Sequence, residues 1–117
     1  MSVPAAGVTP VYLSTTFDAP PGWHVERTIG LMFGLVVRSM GLAKGLTGSL
    51  RALRAGEVKE YTQTLEESRQ HALDRLVEHA RASGANAILG VRFDSSEVGQ
   101  GLQEILAYGT GAVILQP

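Results

Sequence analysis

The stretch "EVKEYTQTLEESRQHALDRLVEHARASG", residues 57–84, predicts one long helix and with it the fold class. Its apolar residues recur at steps of three and four, the spacing that places side chains on one face of a helix. Acidic residues begin the segment, Arg81 lies in its last turn, and Gly84 suits the end of a helix. We expect this helix to bury its apolar stripe against a sheet. The stripe consists of Val58, Tyr61, Leu65, Ala72, Leu73, Leu76, Val77 and Ala80.

Four segments with strand character flank this helix, two on each side. They are rich in β-branched, aromatic and other apolar residues, and turn-forming residues separate them. The glycine-rich segment 38–56 predicts a short or irregular helix before the long one. This order, β-β-(α)-α-β-β, is typical of an α+β fold, here a mostly antiparallel sheet with the long helix packed on one face. The predicted strands span residues 11–16, 25–37, 85–96 and 102–115.

The last two predicted strands form a hairpin whose first arm alternates in polarity. Leu89, Val91 and Phe93 are expected on one face of the sheet, and Arg92 and Asp94 on the other. The sequence "SEVGQG", residues 96–101, is assigned to the turn, because glycine accepts the positive φ angles that tight turns need.

The bulk composition predicts one globular domain with no strong electrostatic preference for a partner. The chain has 117 residues and a formal net charge of −1, so nucleic-acid binding is not expected. The lack of cysteine excludes disulfides and thiolate metal sites and fits a reducing cytoplasm. The longest apolar run, 28–37, is about half the length of a membrane-spanning helix. We expect a flexible segment over 1–10, a single domain over 11–117 and a cytoplasmic location.

The predicted strands also indicate self-association. They contain many Ile, Leu, Val and Gly residues and few charges, whereas one helix can cover only one face of a sheet. A small domain buries a smaller share of its surface than a large one, so this chain would gain stability from association. Contacts between copies are expected to cover the second face.

Asp94 and Glu97 are the candidate metal ligands. Carboxylate oxygens suit a hard cation, and the neighbouring serines and carbonyl groups could add further ligands. The spacing differs from that of a calcium-binding loop, so a polar turn with Asp94 as its capping residue is the favoured interpretation. His71 and His79 lie eight residues apart and would sit about 12 Å apart along a helix, too far for one chain to chelate a metal with both.

A second candidate is an anion site in the basic, glycine-rich segment 38–54. The segment could meet phosphate, nucleotide, anionic lipid or an acidic partner. Its order of glycine and lysine does not match a phosphate-binding P-loop. The alternative is a solvated connection whose basic residues pair with acidic residues of the long helix. The candidate anion-binding residues are Arg38, Lys44, Arg51 and Arg54.

No catalytic constellation is visible in the sequence, and we expect a protein that is not an enzyme. Ser14, Thr15 and Thr16 form a hydroxyl cluster, but the sequence places no general base beside them. An enzyme would need a site built across copies of the chain. We also expect no cofactor, with a metal ion as the one open alternative.

Several ordered segments carry a resemblance to a known family. They are "STT" at 14–16, the glycine-spaced strand at 25–37, the helix-to-strand segment 54–94, "EVGQG" at 97–101 and "GTGAVI" at 109–114. The most specific part is "ARASGANAILGVRFD" within the helix-to-strand segment. Together they cover nearly the whole chain, which resembles the YbjQ-like family, small bacterial proteins labelled as heavy-metal-binding domains.

The resemblance implies an α+β fold and a ring-shaped homo-oligomer, with a pentamer as the expected size. It implies no reaction. Other members can carry a cysteine near the position of Ile29, and because this chain has none, a thiolate site cannot be carried over. The expected function is therefore an oligomeric binding or assembly module of unknown ligand. The alternatives are a metal-binding module with oxygen and histidine ligands, and an anion binder through segment 38–54.

Overall fold

A computed structural model describes residues 10–39, 59–99 and 101–117, and for residues 59–61 it describes the backbone alone. One long helix and four strands make up the described part. Their bounds are β1 Tyr12–Leu13, β2 His24–Ser39, α1 Lys59–Ala82, β3 Ala87–Gly99 and β4 Leu102–Leu115.

The four strands form one mixed sheet in the order β1-β3-β4-β2. Strands β3 and β4 form an antiparallel hairpin, and β2 pairs antiparallel with the other side of β4. The short strand β1 instead runs parallel to β3, so the sheet is not purely antiparallel. The predicted α+β class, with the helix packed on the sheet, is confirmed.

Helix α1 packs closely on strands β2 and β4 because small residues meet at the contact. Along the helix every fourth residue from Ser68 to Ala80 is buried, and the buried Ser68 hydroxyl donates a 2.8 Å hydrogen bond to the carbonyl oxygen of Thr64. A Cβ atom at Gly34 of β2 would collide with the backbone of Ala72 and Leu76. The main core therefore lies on this face. Its buried members are Val11, Met32, Ala72, Leu76, Ala80, Ala85, Ile88, Val91, Ile105 and Ala107.

A β-bulge at Gly90 changes which face the residues of β3 occupy. Leu89 pairs with Thr110 and Arg92 with Tyr108, so β3 has one residue more than β4 between these pairs. Gly90 has a φ of 62°, a left-handed conformation that favours glycine. As a result Leu89 packs in a second cluster, away from the helix, and the prediction that it shares a face with Val91 and Phe93 is wrong.

Two other predicted boundaries are wrong. The first strand covers only Tyr12–Leu13 rather than 11–16, and β3 continues through Gly99, so 96–101 is not all turn. Residues 95–97 pair with residues 103–105 of β4, and this long-range pairing outweighs the local turn preference of the serines and glycines. Apart from Pro10 and the last residues of β2, the predicted segments 1–10 and 38–56 lie outside the described residues.

Candidate functional sites

One face of strand β2 is apolar and largely exposed in the described part of the chain. Residues on β2 alternate between the two faces, and Met32, Gly34 and Val36 lie toward α1. The residues that alternate with them along β2 point to the opposite face, here called the open face. They are Leu31, Phe33, Leu35 and Val37, with 71%, 50%, 39% and 54% of their surfaces exposed.

The neighbouring strands extend the open face. Phe33 pairs with Tyr108 of β4, and Leu35 pairs with Leu106. Both β4 residues are half-buried, so they add a partly exposed second row. The β3 row is polar, because Arg92 lies opposite Tyr108 and residue 94 lies opposite Leu106. The open face is thus an apolar strip along β2 and β4 with a charged border on β3.

Near the start of β2, the same side of the sheet is covered by another part of the chain. A second cluster of buried residues lies there, and the segment after β1 packs against it. The cluster consists of Ala87, Leu89, Ala112 and Ile114, with Tyr12, Ala19 and Val25 partly buried around it. The open face begins where this cover ends.

Two helix histidines contact β2, which is an edge strand. The Nδ1 atom of His79 lies 3.3 Å from the backbone nitrogen and 3.1 Å from the carbonyl oxygen of Phe33, and its tautomer decides which bond forms. The two rings also meet edge to face, with centroids 5.5 Å apart. The Nδ1 atom of His71 lies 2.6 Å from an Arg38 nitrogen and accepts a hydrogen bond, since guanidinium only donates.

The candidate metal ligands Asp94 and Glu97 are both exposed and both lie in β3. They are three residues apart, so their side chains point to opposite faces, about 10 Å apart along the strand. One Asp94 carboxylate oxygen accepts a 2.9 Å hydrogen bond from the backbone of Ser95. One chain therefore does not bring the two carboxylates together.

The donor groups in the described part of one chain do not fit a heavy-metal ion. Thiolate, the ligand that soft metals prefer, is missing from the sequence. Among the described residues, no three histidine, aspartate or glutamate side chains lie close enough together to hold a metal ion. A metal site built from this part of the chain would need ligands from more than one copy.

Of the four candidate anion-binding residues, only Arg38 is described. It lies near the end of β2 and binds His71. Lys44, Arg51 and Arg54 lie outside the described residues. The anion site in segment 38–54 stays a prediction.

Sequence reasoning did not connect the hydroxyl cluster at Ser14–Thr16 with Arg92. In the structure the Arg92 Nη1 atom donates a 2.8 Å hydrogen bond to the carbonyl oxygen of Thr15. The two residues are 77 positions apart, and neither periodicity nor a motif links them. The strand character of "VYL" beside "AILGV" was the one signal that could have predicted this contact, through parallel pairing.

Within the described part of the chain, the only long helix is α1, and it is not apolar enough to cross a membrane.

Comparison with known proteins gives a consistent family match. The YbjQ family model, described as "Putative heavy-metal-binding", matches residues 12–116. A UPF0145 protein of Methanoregula boonei is 56% identical over 97 residues, which cover 83% of this chain and 80% of that protein. A UPF0145 protein of Bradyrhizobium sp. is 51% identical over 105 residues, covering 90% and 95%.

Two further similarities concern the organisms in which the family occurs and the fold. A UPF0145 protein of the archaeon Saccharolobus solfataricus is 46% identical over 102 residues, covering 87% of this chain and 90% of that protein, so the family extends beyond the expected bacteria. A crystal structure of a protein of unknown function from Pediococcus pentosaceus matches with a TM-score of 0.54 and 14% identity. It covers 92% of this chain and 98% of that one, and the likeness concerns the fold alone.

Proposed function

We propose that this chain, which belongs to the YbjQ family of UPF0145 proteins, works as a non-enzymatic binding module that assembles with copies of itself. None of the relatives described above carries an enzymatic name. The proposed assembly is a closed ring, with five subunits and a cytoplasmic location as the sequence resemblance and composition imply.

The open face is the observation that carries the proposal. The exposed fractions of Leu31, Phe33, Leu35 and Val37 leave roughly 400 Å² of apolar surface, a patch size that on monomeric proteins often marks an interaction site. These residues lie on a regular strand, so their surface is already ordered and would lose little conformational freedom on binding. Burying it against another copy would stabilise the assembly through the hydrophobic effect.

The direction of the strands favours a head-to-tail assembly. Strands β2 and β3 each run antiparallel to β4, so they are parallel to each other. If β2 of one copy lay beside β3 of the next, every copy would use two different edges. Such heterologous contacts form a ring when the rotation between copies closes. In that ring the helices would lie outside and the open faces would turn toward the centre.

The charges at the two edges are complementary in this arrangement. Arg38 on β2 and Glu97 on β3 both pair with Gln103, so they lie in one row on the helix side of the sheet. An unstaggered contact would therefore bring Arg38 of one copy level with Glu97 of the next. His79 already binds the backbone of Phe33 at the β2 edge. In the proposed contact, the β2 residues before and after Phe33 would therefore pair with β3 of the next copy.

A paired lysine substitution tests the assembly. Replacing Leu31 and Val37 by lysine puts two charges on the open face, where more than half of each native side chain is exposed. The control is Ala82→Lys on an exposed position in the last turn of α1, where a lysine suits the helix dipole. Sedimentation velocity should show the double variant as a smaller particle than the native chain and the control, while circular dichroism shows all three folded. A double variant that sediments like the control would contradict the proposal.

The family description favours metal binding as a second candidate. Because Asp94 and Glu97 point to opposite faces, such a site would combine one of them with groups from another copy. Elemental analysis of untagged protein, native and with Asp94→Asn or Glu97→Gln, tests this. Metal retained in a fixed ratio to the subunit and lost in one variant would support it, and no retained metal would contradict it.

A further inference from the structure

We propose that Ser14, Thr16 and Arg92 form a binding site for an oxyanion, a phosphate or carboxylate group. We call this group of residues the Ser14–Arg92 corner. It gives a ligand class to the binding role proposed above. All three residues belong to one chain, so the site can be tested separately from the assembly.

The corner is held in a fixed geometry by backbone hydrogen bonds to β3. The Ser14 carbonyl oxygen accepts a 2.9 Å bond from the Val91 nitrogen, and the Thr16 carbonyl oxygen accepts a 2.8 Å bond from the Gly90 nitrogen. The Phe17 ring lies over Gly90, in the space that a Cβ atom would occupy. The loop is therefore fastened at the β-bulge and presents its hydroxyl groups in one arrangement. A binding site gains affinity when its groups are ordered in advance.

The hydroxyl groups leave one hydrogen to donate. The Ser14 hydroxyl oxygen accepts a 3.0 Å bond from the Thr16 backbone nitrogen, and the two hydroxyl oxygens are 2.9 Å apart. Only one of the two hydroxyl hydrogens can lie between those oxygens. Whichever residue supplies it, the other hydroxyl keeps a hydrogen that points elsewhere. Within the described residues, no acceptor takes this hydrogen.

Arg92 is anchored at one nitrogen and leaves the others for a ligand. Its Nη1 atom donates to the carbonyl oxygens of Thr15 and Val91, at 2.8 and 2.9 Å. A guanidinium group carries five N–H donors, so the Nε and Nη2 atoms keep theirs. These two nitrogens form the fork that binds carboxylate or phosphate through two parallel bonds. In the described part of the chain, the hydrogen bonds of Arg92 all come from Nη1.

The charge of Arg92 is not balanced by a direct ion pair. Among the described residues, Arg81 and Glu78 on the helix form an ion pair, whereas Arg92 has no acidic partner within 4.0 Å. Asp94 lies two residues from Arg92 on the same face, but one of its oxygens accepts a bond from its neighbour's backbone. The corner thus combines a positive charge, a fixed fork and a spare hydroxyl donor. Their natural complement is an anion rich in oxygen acceptors.

The surroundings favour an anion attached to an aromatic or apolar group. Arg92 pairs with Tyr108 in the strand register, and Tyr108 pairs with Phe33, so two aromatic residues continue the row of Arg92 across the open face. Both rings are partly exposed. A phosphate on an aryl group could bind the fork with its oxygens and cover this row with its ring.

The test is a titration of the native chain with inorganic phosphate, phenyl phosphate and benzoate. Binding is monitored by NMR signals of the backbone amides and of the arginine Nε–H groups. We expect shifts confined to residues 14–17, 90–92 and the Arg92 Nε–H. Phenyl phosphate should bind more tightly than inorganic phosphate if the aromatic row contributes. A stronger response to benzoate than to phenyl phosphate would assign the site to carboxylates.

Three variants separate binding from structure. Arg92→Gln should weaken phosphate binding by about tenfold or more, since a charge-assisted fork is lost. Ser14→Ala with Thr16→Val leaves Arg92 in place and should weaken binding about threefold or more, the effect of one hydrogen bond. The control Arg69→Gln removes an exposed arginine near Phe93, on the other face of the sheet, and should bind like the native chain.

Two results would overturn the proposal. In the first, no tested anion shifts these resonances at millimolar concentration. In the second, all variants bind as tightly as the native chain. An equal loss in Arg69→Gln would also overturn the proposal, because it would show general attraction to positive charge. Sedimentation of each variant reports the assembly separately. A native-sized particle that has lost phosphate binding would support the corner without bearing on the ring.

Discussion

Strand β2 places Met32, Gly34 and Val36 under helix α1, whereas the residues that alternate with them point to the open face. Both sets are apolar, yet the first set is covered by the helix and the second is 39–71% exposed. The difference lies in what the chain has available to cover each face. Helix α1 is about 36 Å long and lies over β2 and β4 on one side only.

The same strand pattern therefore serves two kinds of burial. On the helix face, glycine and alanine let backbones approach closely, so packing is completed within one chain. On the open face the side chains are larger, as at Leu31 and Phe33, and they project from a regular strand. Large apolar residues on an ordered, exposed surface are what interface cores use. The following predictions test this contrast, from the largest expected effect to the smallest.

Gly34→Val should have the largest effect, because its side chain would occupy the place of the α1 backbone at Ala72 and Leu76. The helix would have to move off the sheet, and we expect a loss of more than about 4 kcal/mol in the free energy of unfolding. The matched control is Gly99→Val, where a Cβ atom would make an ordinary 3.6 Å contact with Leu102. Urea denaturation of both variants measures the difference. Equal stability of the two would contradict the described packing of α1.

Leu76→Ala should remove part of the helix-face core without displacing the helix. Leu76 is fully buried, and such truncations lower the free energy of unfolding by about 2–5 kcal/mol. Thermal unfolding at one fixed protein concentration would show this as a lower melting temperature. A loss below about 1 kcal/mol would mean that the side chain is less enclosed than described.

His79→Ala should produce a smaller loss at the β2 edge. The substitution removes one hydrogen bond to the Phe33 backbone and an edge-to-face ring contact, together worth about 1 kcal/mol. His71→Ala is the control, since its bond to Arg38 is exposed and should contribute little. If His71→Ala cost more stability in denaturation experiments than His79→Ala, the assigned role of His79 would be wrong.

Leu31→Ala should have the smallest effect on the isolated chain, less than about 0.5 kcal/mol, since most of its side chain is exposed there. In the proposed assembly the same change should lower stability, because the side chain is then buried. Melting temperatures measured over a hundredfold range of protein concentration would separate the two states. We expect the native and variant curves to diverge as concentration rises, and parallel curves would contradict burial of Leu31 between copies.

The sequence allowed prediction of the elements whose patterns are long and regular. The stripe from Val58 to Ala80 predicts a helix over 57–84, and the structure has it at Lys59–Ala82. Strand β2 was expected at 25–37 and lies at His24–Ser39. Both elements are specified by many residues at a constant spacing, so errors at their ends do not change their type.

What the sequence did not predict depends on contacts between distant residues. The bulge at Gly90 moves Leu89 to the other face, and a single glycine in a strand does not say whether it bulges. The pairing of residues 95–97 with β4 extended a strand where serines suggested a turn. The Ser14–Arg92 corner exists because β1 runs parallel to β3, a topology that short strands do not reveal. Asp94 and Glu97 would be neighbours in a turn, but both lie in β3, where their side chains point to opposite faces.

Native mass spectrometry of the untagged chain tests the central claim, that copies of this chain cover the open face, most directly. It reports the number of subunits and any retained ligand mass in one spectrum. We expect a single closed oligomer, with five subunits as the expected number. A monomer at micromolar concentration, under conditions that preserve known oligomers, would contradict it and would leave the open face of β2 without the partner proposed for it.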